Sequence, residues 1–233
     1  MLRNIIFYLI AIPSTLFFST LAIIHPAWGT PIMRIWGRSV LFAAGTKFHV
    51  DIQGLDPNQT YVFIGNHQSN LDIPFLSYFL NDYGVRFISK ESVFKIPFFG
   101  PASKRVGHVA IDRSNRRKAM RSIEEAVEKI RSGTSLIIFP EGTRATEYDE
   151  LQKFKSGAMI LALKTGVPVV PFVMRSTGEI LGKGSGWVKS RRLELRTLPP
   201  IDAANLYSLK DREKFKDDLY AMMNAAYKEL PHG

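Results

Sequence analysis

The chain has 233 residues, no cysteine, and 31 lysines and arginines against 21 acidic residues, for a formal net charge of +10. The lack of cysteine excludes a disulfide framework, a thiol nucleophile and a cysteine-rich metal site. A hydrophobic share of 45% supplies a core for one large domain with a small appendage, and the excess positive charge suits an anionic partner: nucleic acid, an acidic membrane surface or a phosphorylated substrate.

From Ile5 through Ile24 there is no charged side chain. Twenty residues at helical rise reach ~30 Å, about one hydrocarbon core. Pro13 removes a backbone hydrogen bond in the middle of the run and tends to kink or split a helix, so a single span and a kinked hairpin are both open. A cleaved signal peptide is the competing reading, since Arg3 precedes the run. Against it, the run exceeds the usual ~7–15 residue apolar core and no small-x-small site precedes Trp28. We therefore expect a retained membrane anchor. Arg34, Arg38 and Lys47 follow it while only Arg3 and the amino terminus precede it, a bias that keeps the rest of the chain cytoplasmic.

Residues 31–45 read as a second, amphipathic helix. Arg34 and Arg38 share one side, and Trp36 with its apolar neighbours suits either a headgroup interface or packing on the main domain. The chain thus divides into anchoring helices at 1–45 and a domain at 46–233. In that domain, alternating or continuous apolar runs predict strands at 48–52, 61–65, 85–89, 106–111, 135–139, 168–174 and 192–198. Helices are predicted between them at 71–81, 115–131, 155–165 and 209–229, with Ser114 capping the second and Gly133 ending it. Glu125 and Lys129 form a supporting i,i+4 pair there, and Ser208 to Asp211 reads as a capping box. This order predicts an α/β fold: a mostly parallel or mixed sheet of about seven strands with helices on both faces.

Three stretches carry chemistry. Asn66-His67-Gln68-Ser69-Asn70-Leu71-Asp72 is a polar turn between a strand and a helix. Two residues five apart on one helix lie roughly 140° apart, so His67 and Asp72 meet only if His67 is in the turn and Asp72 in the helix's first turn. Ser69 or Asn70 is a suitable N-cap, and Ser69-x-x-Asp72 resembles a capping box. That geometry puts a carboxylate beside an imidazole, fixing its tautomer for work as a base. The plainer alternative is a turn histidine and an aspartate that complements a helix dipole.

The second stretch is Phe139-Pro140-Glu141-Gly142-Thr143-Arg144, the loop after a buried strand, where open α/β sheets bind ligands. Gly142 lets a ligand approach the backbone, Thr143 offers a hydroxyl and Arg144 can grip a phosphate bidentately. Glu141 orients Arg144 or a substrate hydroxyl; alternatively Glu141 and Arg144 simply pair with each other. The third is the set of cations at other strand ends. Arg113 after Ile111 is a second phosphate contact or the partner of Asp112, and Lys90 neutralises a phosphate or stands solvated. Phe94, Ile96, Pro97, Phe98 and Phe99 read as core or as the wall of an acyl groove. No two histidines sit at metal-ligand spacing with a carboxylate, so no metal is expected, and His49, His108 and His232 receive no role. The basic residues are scattered without a recognition motif, which argues against nucleic acid. No Gly-x-Ser-x-Gly elbow follows a predicted strand.

His67-x4-Asp72, Lys90 to Gly100, Gly107 to Arg113, the Phe139–Arg144 block and Val167-Pro168-Val169-Val170-Pro171 occur in that order. Over residues 61–202 they resemble the blocks of the glycerolipid acyltransferases, specifically bacterial 1-acylglycerol-3-phosphate acyltransferases. The resemblance implies transfer of a fatty acyl group from a thioester, acyl-CoA or acyl carrier protein, to the sn-2 hydroxyl of lysophosphatidic acid, giving phosphatidic acid. It makes His67 the general base and Asp72 its orienting partner, with direct attack by the hydroxyl and no acyl-enzyme. It assigns Glu141, Gly142, Thr143 and Arg144 to glycerol-phosphate recognition and links the Val167–Pro171 block to the acyl donor. It implies an inner-membrane protein with its catalytic domain on the cytoplasmic face, an anionic membrane surface and possible carrier-protein partnership, and no cofactor beyond the thioester co-substrate. Another lysolipid acceptor and a non-catalytic lipid-binding protein are the alternatives.

Overall fold

The computed structural model describes residues 1–112 and 115–231. Two helices come first, α1 (Leu2–Ile24) and α2 (Gly29–Ala44), joined by a 3-10 turn at Pro26–Trp28. There follow β1 (Lys47–Asp51), β2 (Val62–Gly65), α3 (Asp72–Phe79), β3 (Arg86–Lys90), α4 (Phe99–Arg105), β4 (Val109–Ile111) and α5 (Arg116–Arg131). The chain continues through β5 (Leu136–Ile138), α6 (Gly157–Thr165), β6 (Val169–Arg175), α7 (Thr177–Ile180), β7 (Arg192–Thr197), α8 (Ala203–Leu206) and α9 (Arg212–Glu229).

The strands form one seven-stranded sheet in the order β1-β7-β6-β2-β5-β3-β4. Every pairing is parallel except β6 with β7, so the sheet is mixed. Successive side chains of a strand point to opposite faces, and both faces here are covered. Phe63, Phe87, Ile137 and Phe172 face a layer that includes Ile32, Val40, Phe75 and Ala102 of α2, α3 and α4. Val62, Ile64, Ile138 and Val173 face the opposite layer, with Ile130 of α5, Met159 of α6 and Phe215 of α9. All seven predicted strands and all four predicted domain helices are present. The short α4 was not expected, because Gly100 and Pro101 are poor helix formers; a Cβ on Gly100 would fall 2.2 Å from the Phe94 carbonyl, so close packing requires glycine there.

The structure decides several local points. Pro13 does not split α1, which runs unbroken from Leu2 to Ile24. Just beyond the proline, α2 braces it: Ser14 and Ser39 share a hydrogen bond of 2.9 Å, and the Trp36 indole donates to Thr15 Oγ1 at 3.0 Å. Trp36 therefore packs between α1 and α2, and Arg34 pairs with Asp82 at 2.8 Å. Glu125 pairs with Arg121 in place of Lys129; the Lys129 ammonium lies over Gly107 beside Arg86, and burial with that guanidinium lowers its pKa. Ser114 lies outside the described residues, and Asn115 caps α5 by accepting from Lys118 N at 2.9 Å. The Ser208–Asp211 capping box is present, on a 3-10 turn just ahead of α9.

Candidate active site

β2, β5 and β3 are adjacent and parallel, so the turns leaving them open at one edge of the sheet. The first of these turns is fixed by its own side chains. Asn66 donates Nδ2 to the Met174 carbonyl at 2.8 Å and accepts from Met174 N at 2.7 Å, locking the end of β2 to β6. Gly65 permits the approach: a Cβ there would fall 2.0 Å from the Phe172 ring. The chain then passes His67 and enters α3 at Asp72, and His67 Nδ1 lies 2.6 Å from Asp72 Oδ2. The same carboxylate oxygen accepts from Gln68 N at 2.8 Å and Ser69 N at 3.0 Å.

The expected capping box is therefore half present. Asp72 reaches back to the turn, but Ser69 Oγ does not cap α3 through Asp72 N. It accepts from Leu71 N at 3.1 Å and donates to the Leu181 carbonyl at 2.6 Å. Asp72 is fully buried while the His67 side chain is 19% exposed, so the ring presents only one edge outward. The imidazole also stacks on Phe139, ring centroids 4.2 Å apart and planes 10° from parallel. With Nδ1–H donated to the carboxylate, Nε2 is the nitrogen left to accept a proton.

Glu141 does not pair with Arg144 and turns inward. Its Oε1 accepts from His67 N at 3.4 Å and its Oε2 from Gln152 Nε2 at 2.9 Å. Burial pushes its carboxyl up to about 8; the His67 and Gln152 donors oppose the rise and the Asp72 charge adds to it. Gly142 takes φ 74°, a conformation that favours glycine, and its N–H donates to the Phe139 carbonyl at 3.2 Å. Ala145 N then donates to the His67 carbonyl at 2.8 Å, so the two turns are tied directly together.

His67, Lys90, Gly142, Thr143 and Arg144 line one cleft of about 570 Å³. Asp72 and Glu141 stand behind it, holding the His67 turn. Arg113 lies outside the described residues; its neighbour Asp112 pairs with Lys118 at 3.1 Å. The cleft shares Thr15, Trp36, Asn70, Ile96 and Phe99 with an apolar groove of about 300 Å³ that also touches Phe7, Ile12, Leu71 and Phe98. Ile96, Phe98 and Phe99 are thus groove wall. Phe98 sits at φ 61°, ψ −56°, with Phe99 N donating to the Pro97 carbonyl at 2.7 Å, a γ-turn of the rarer, strained hand. His108, which also lines the cleft, accepts from Phe87 N at 3.1 Å through Nδ1, and burial with the nearby Arg86 and Lys129 pushes its pKa down to about 3. Among the described residues no cluster of three or more metal-ligating side chains occurs.

Several supporting residues carry no local signal in the sequence. Asn66 precedes His67 and is visible only as a polar turn residue, while its partner Met174 lies 108 positions away. Tyr227 is likewise remote, 159 positions from Gln68, whose amide it accepts from, and Trp36 and Thr15 reach the cleft only because α1 and α2 fold back over the sheet.

A buried carboxylate holding an imidazole with one edge in a cleft, and cations at the same strand ends, form an arrangement chemically able to move a proton beside a bound anion on an α/β sheet. Residues 47–175 match the acyltransferase family. The chain is 37% identical over 158 residues to the chloroplastic 1-acyl-sn-glycerol-3-phosphate acyltransferase BAT2 of Brassica napus, covering 66% of this chain and 44% of that protein. It is 38% identical over 117 residues to the 1-acyl-sn-glycerol-3-phosphate acyltransferase of Haemophilus influenzae, 50% of this chain and 48% of that one. The match thus spans about half the length of these relatives or less. The crystal structure of the 1-acyl-sn-glycerophosphate (LPA) acyltransferase PlsC from Thermotoga maritima superposes with a TM-score of 0.83 at 23% identity, covering 100% of this chain and 97% of the other. The fold is shared with that structure. The chain belongs to the acyltransferase family.

Proposed function

We propose that the protein transfers a fatty acyl group from a thioester, acyl-CoA or acyl carrier protein, to the sn-2 hydroxyl of lysophosphatidic acid, giving phosphatidic acid. The observation that carries this reading is the 2.6 Å contact of His67 Nδ1 with buried Asp72, which leaves Nε2 in a cleft that also holds Lys90 and Arg144. Lysophosphatidic acid supplies what such a cleft selects: a phosphomonoester for the cations, an adjacent secondary hydroxyl for the base and an acyl chain for the apolar groove. The names of the Brassica and Haemophilus relatives point to the same acceptor.

In this reading Nε2 of His67 takes the hydroxyl proton as the oxygen attacks the thioester carbonyl. A C–O bond forms, the tetrahedral intermediate collapses with loss of the C–S bond, and the imidazolium returns the proton to the departing thiolate. Asp72 holds the ring and its tautomer throughout. Arg144 and Lys90 bind the acceptor phosphate, with Gly142 and Thr143 offering backbone approach and a hydroxyl; Arg113 keeps the same assignment from its place in the sequence. Glu141 acts on the turn through the His67 N–H and not on phosphate. No cofactor beyond the co-substrate is required.

Among the described residues α1 is the one helix long and apolar enough to cross a membrane, and it is 17% buried over its most apolar stretch. Its outward residues Leu2, Ile5, Ile6, Leu9 and Phe17 are exposed, a surface that supports attachment to the inner membrane with the sheet domain on the cytoplasmic side. The test is a product assay with purified protein, offering lysophosphatidic acid and other lysolipids with each thioester carrier. Phosphatidic acid made at the expense of thioester is expected; binding of lysolipid with no turnover on any acceptor would leave a lipid-binding protein instead.

A further inference from the structure

Residues 181–191 connect α7 to β7 and carry Lys183, Trp187, Lys189 and Arg191. The segment is closed by its own hydrogen bonds. Gly184 turns it at φ 80°, Ser185 N donates to the Gly182 carbonyl at 3.0 Å, and Trp187 N donates to Ser185 Oγ at 3.0 Å. Lys189 N donates to the Ile180 carbonyl at 2.9 Å. Even so, this well-bonded loop holds Trp187 60% exposed.

Two further bonds tie the loop to the first turns of α1. Val188 N donates to Asn4 Oδ1 at 2.6 Å, and the Tyr8 hydroxyl donates to the Gly186 carbonyl at 3.1 Å. Val188 itself is buried in the same apolar cluster as Phe7 and Ala11. The indole therefore stands beside the part of α1 whose outward residues Leu2, Ile5, Ile6 and Leu9 are exposed. Tryptophan beside cations is the residue pair that suits a bilayer interface, its ring body apolar and its N–H wet. Lys183 and Lys189 supply the charge that anionic headgroups attract, while Arg191 is paired with Glu179 at 3.4 Å.

We propose that loop 181–191 is a second membrane contact, in which Trp187 seats among the headgroups of an anionic phospholipid surface level with the first turns of α1. Lys183 Nζ lies 3.3 Å from Thr143 Oγ1, so this contact also brings the leaflet to the rim of the cleft. The inference rests on the reading of α1 as a bilayer-facing helix. An acidic protein is the other partner such a loop could meet, but its continuity with exposed apolar residues of α1 favours lipid.

The test uses the full chain with vesicles of phosphatidylcholine alone or mixed with phosphatidylglycerol, doped with brominated lipid, and compares tryptophan emission of the wild type with Trp187→Phe. The emission lost in the variant should be the component that shifts blue and is quenched by bromolipid. Trp187→Ala should lower partitioning on the order of tenfold. Lys189→Gln should lower it about fivefold on anionic vesicles and leave neutral ones unchanged. If the wild type binds vesicles while the Trp187 component stays unquenched and Trp187→Ala binds equally well, the loop proposal fails and the reading of α1 survives. A wild type that stays off all vesicles overturns both. Emission from Trp187 that answers to an acidic carrier protein and not to vesicles makes the loop a protein-docking surface and overturns the lipid contact.

Discussion

The phenol of Tyr227, near the end of α9, accepts a hydrogen bond from Gln68 Nε2 at 2.7 Å across 159 positions of sequence. The same hydroxyl donates to the Tyr148 carbonyl at 2.6 Å, and Gln68 Oε1 accepts from Thr177 Oγ1 at 3.3 Å. The Arg175 guanidinium lies over the Tyr227 ring, 4.9 Å from its centre. Because Gln68 N also donates to Asp72, the last helix holds the turn that carries His67.

Tyr227→Phe keeps the ring and deletes that acceptor, leaving the Gln68 amide short of a buried partner at a cost of roughly 1–3 kcal/mol. We expect a lower melting temperature together with a kcat lowered about tenfold at unchanged KM, since a small displacement of a base is felt in the chemical step. A variant that melts early but turns over normally would make Tyr227 a stability element only.

His67→Ala is expected to abolish acyl transfer while the protein keeps its circular dichroism and its membrane association. Asp72→Asn should cost roughly 10²–10⁴-fold in kcat, because an amide in that place no longer enforces the Nδ1–H tautomer. Near-normal transfer by His67→Ala would remove the proposed base.

Arg144→Ala and Lys90→Ala should act mainly on KM for the phosphorylated acceptor, each losing a charge-assisted contact of roughly 1.5–3 kcal/mol, or about 10- to 150-fold. Steady-state kinetics with each substrate varied in turn decides the matter. A change confined to the thioester would move these two cations to the donor site.

Glu141 gives a signed pH dependence. Its carboxyl titrates near an ordinary 4.5 when unfolded and at about 8 in the fold, so between these values the folded chain holds the extra proton. The contribution to stability is therefore greatest below 4.5 and falls as pH rises to about 8, by a few kcal/mol at most on the order of 1.4 kcal/mol per pH unit. Glu141→Gln should flatten that slope. Thermal unfolding of both proteins at several pH values between 5 and 8.5 measures it, and parallel curves would mean the carboxyl is already ionised.

Gly37 of α2 lies against α3, where a Cβ would fall 2.3 Å from the Pro74 carbonyl. Gly37→Ala should thus push the two helices apart at a cost of roughly 1–3 kcal/mol. Unchanged chemical denaturation would show that α2 can shift without disturbing α3.

The α/β order and the seven strands were legible in the sequence, and the meeting of His67 with Asp72 was one of two readings the sequence left open. Those features are local: apolar runs of strand length, caps and glycines at element ends, and a five-residue spacing that lets His67 and Asp72 meet only with one in a turn and the other in the first turn of α3. Tertiary structure decided the remainder. It turned Glu141 away from Arg144 and under the His67 N–H, because a buried carboxyl takes the backbone donor the fold presents. It packed Trp36 against Thr15 inside a helix pair and left Trp187 outside. It brought Asn66 to Met174 and Gln68 to Tyr227. Hydrogen bonds between residues a hundred or more positions apart depend on strand order and on which face each helix covers, and no window of sequence contains both partners.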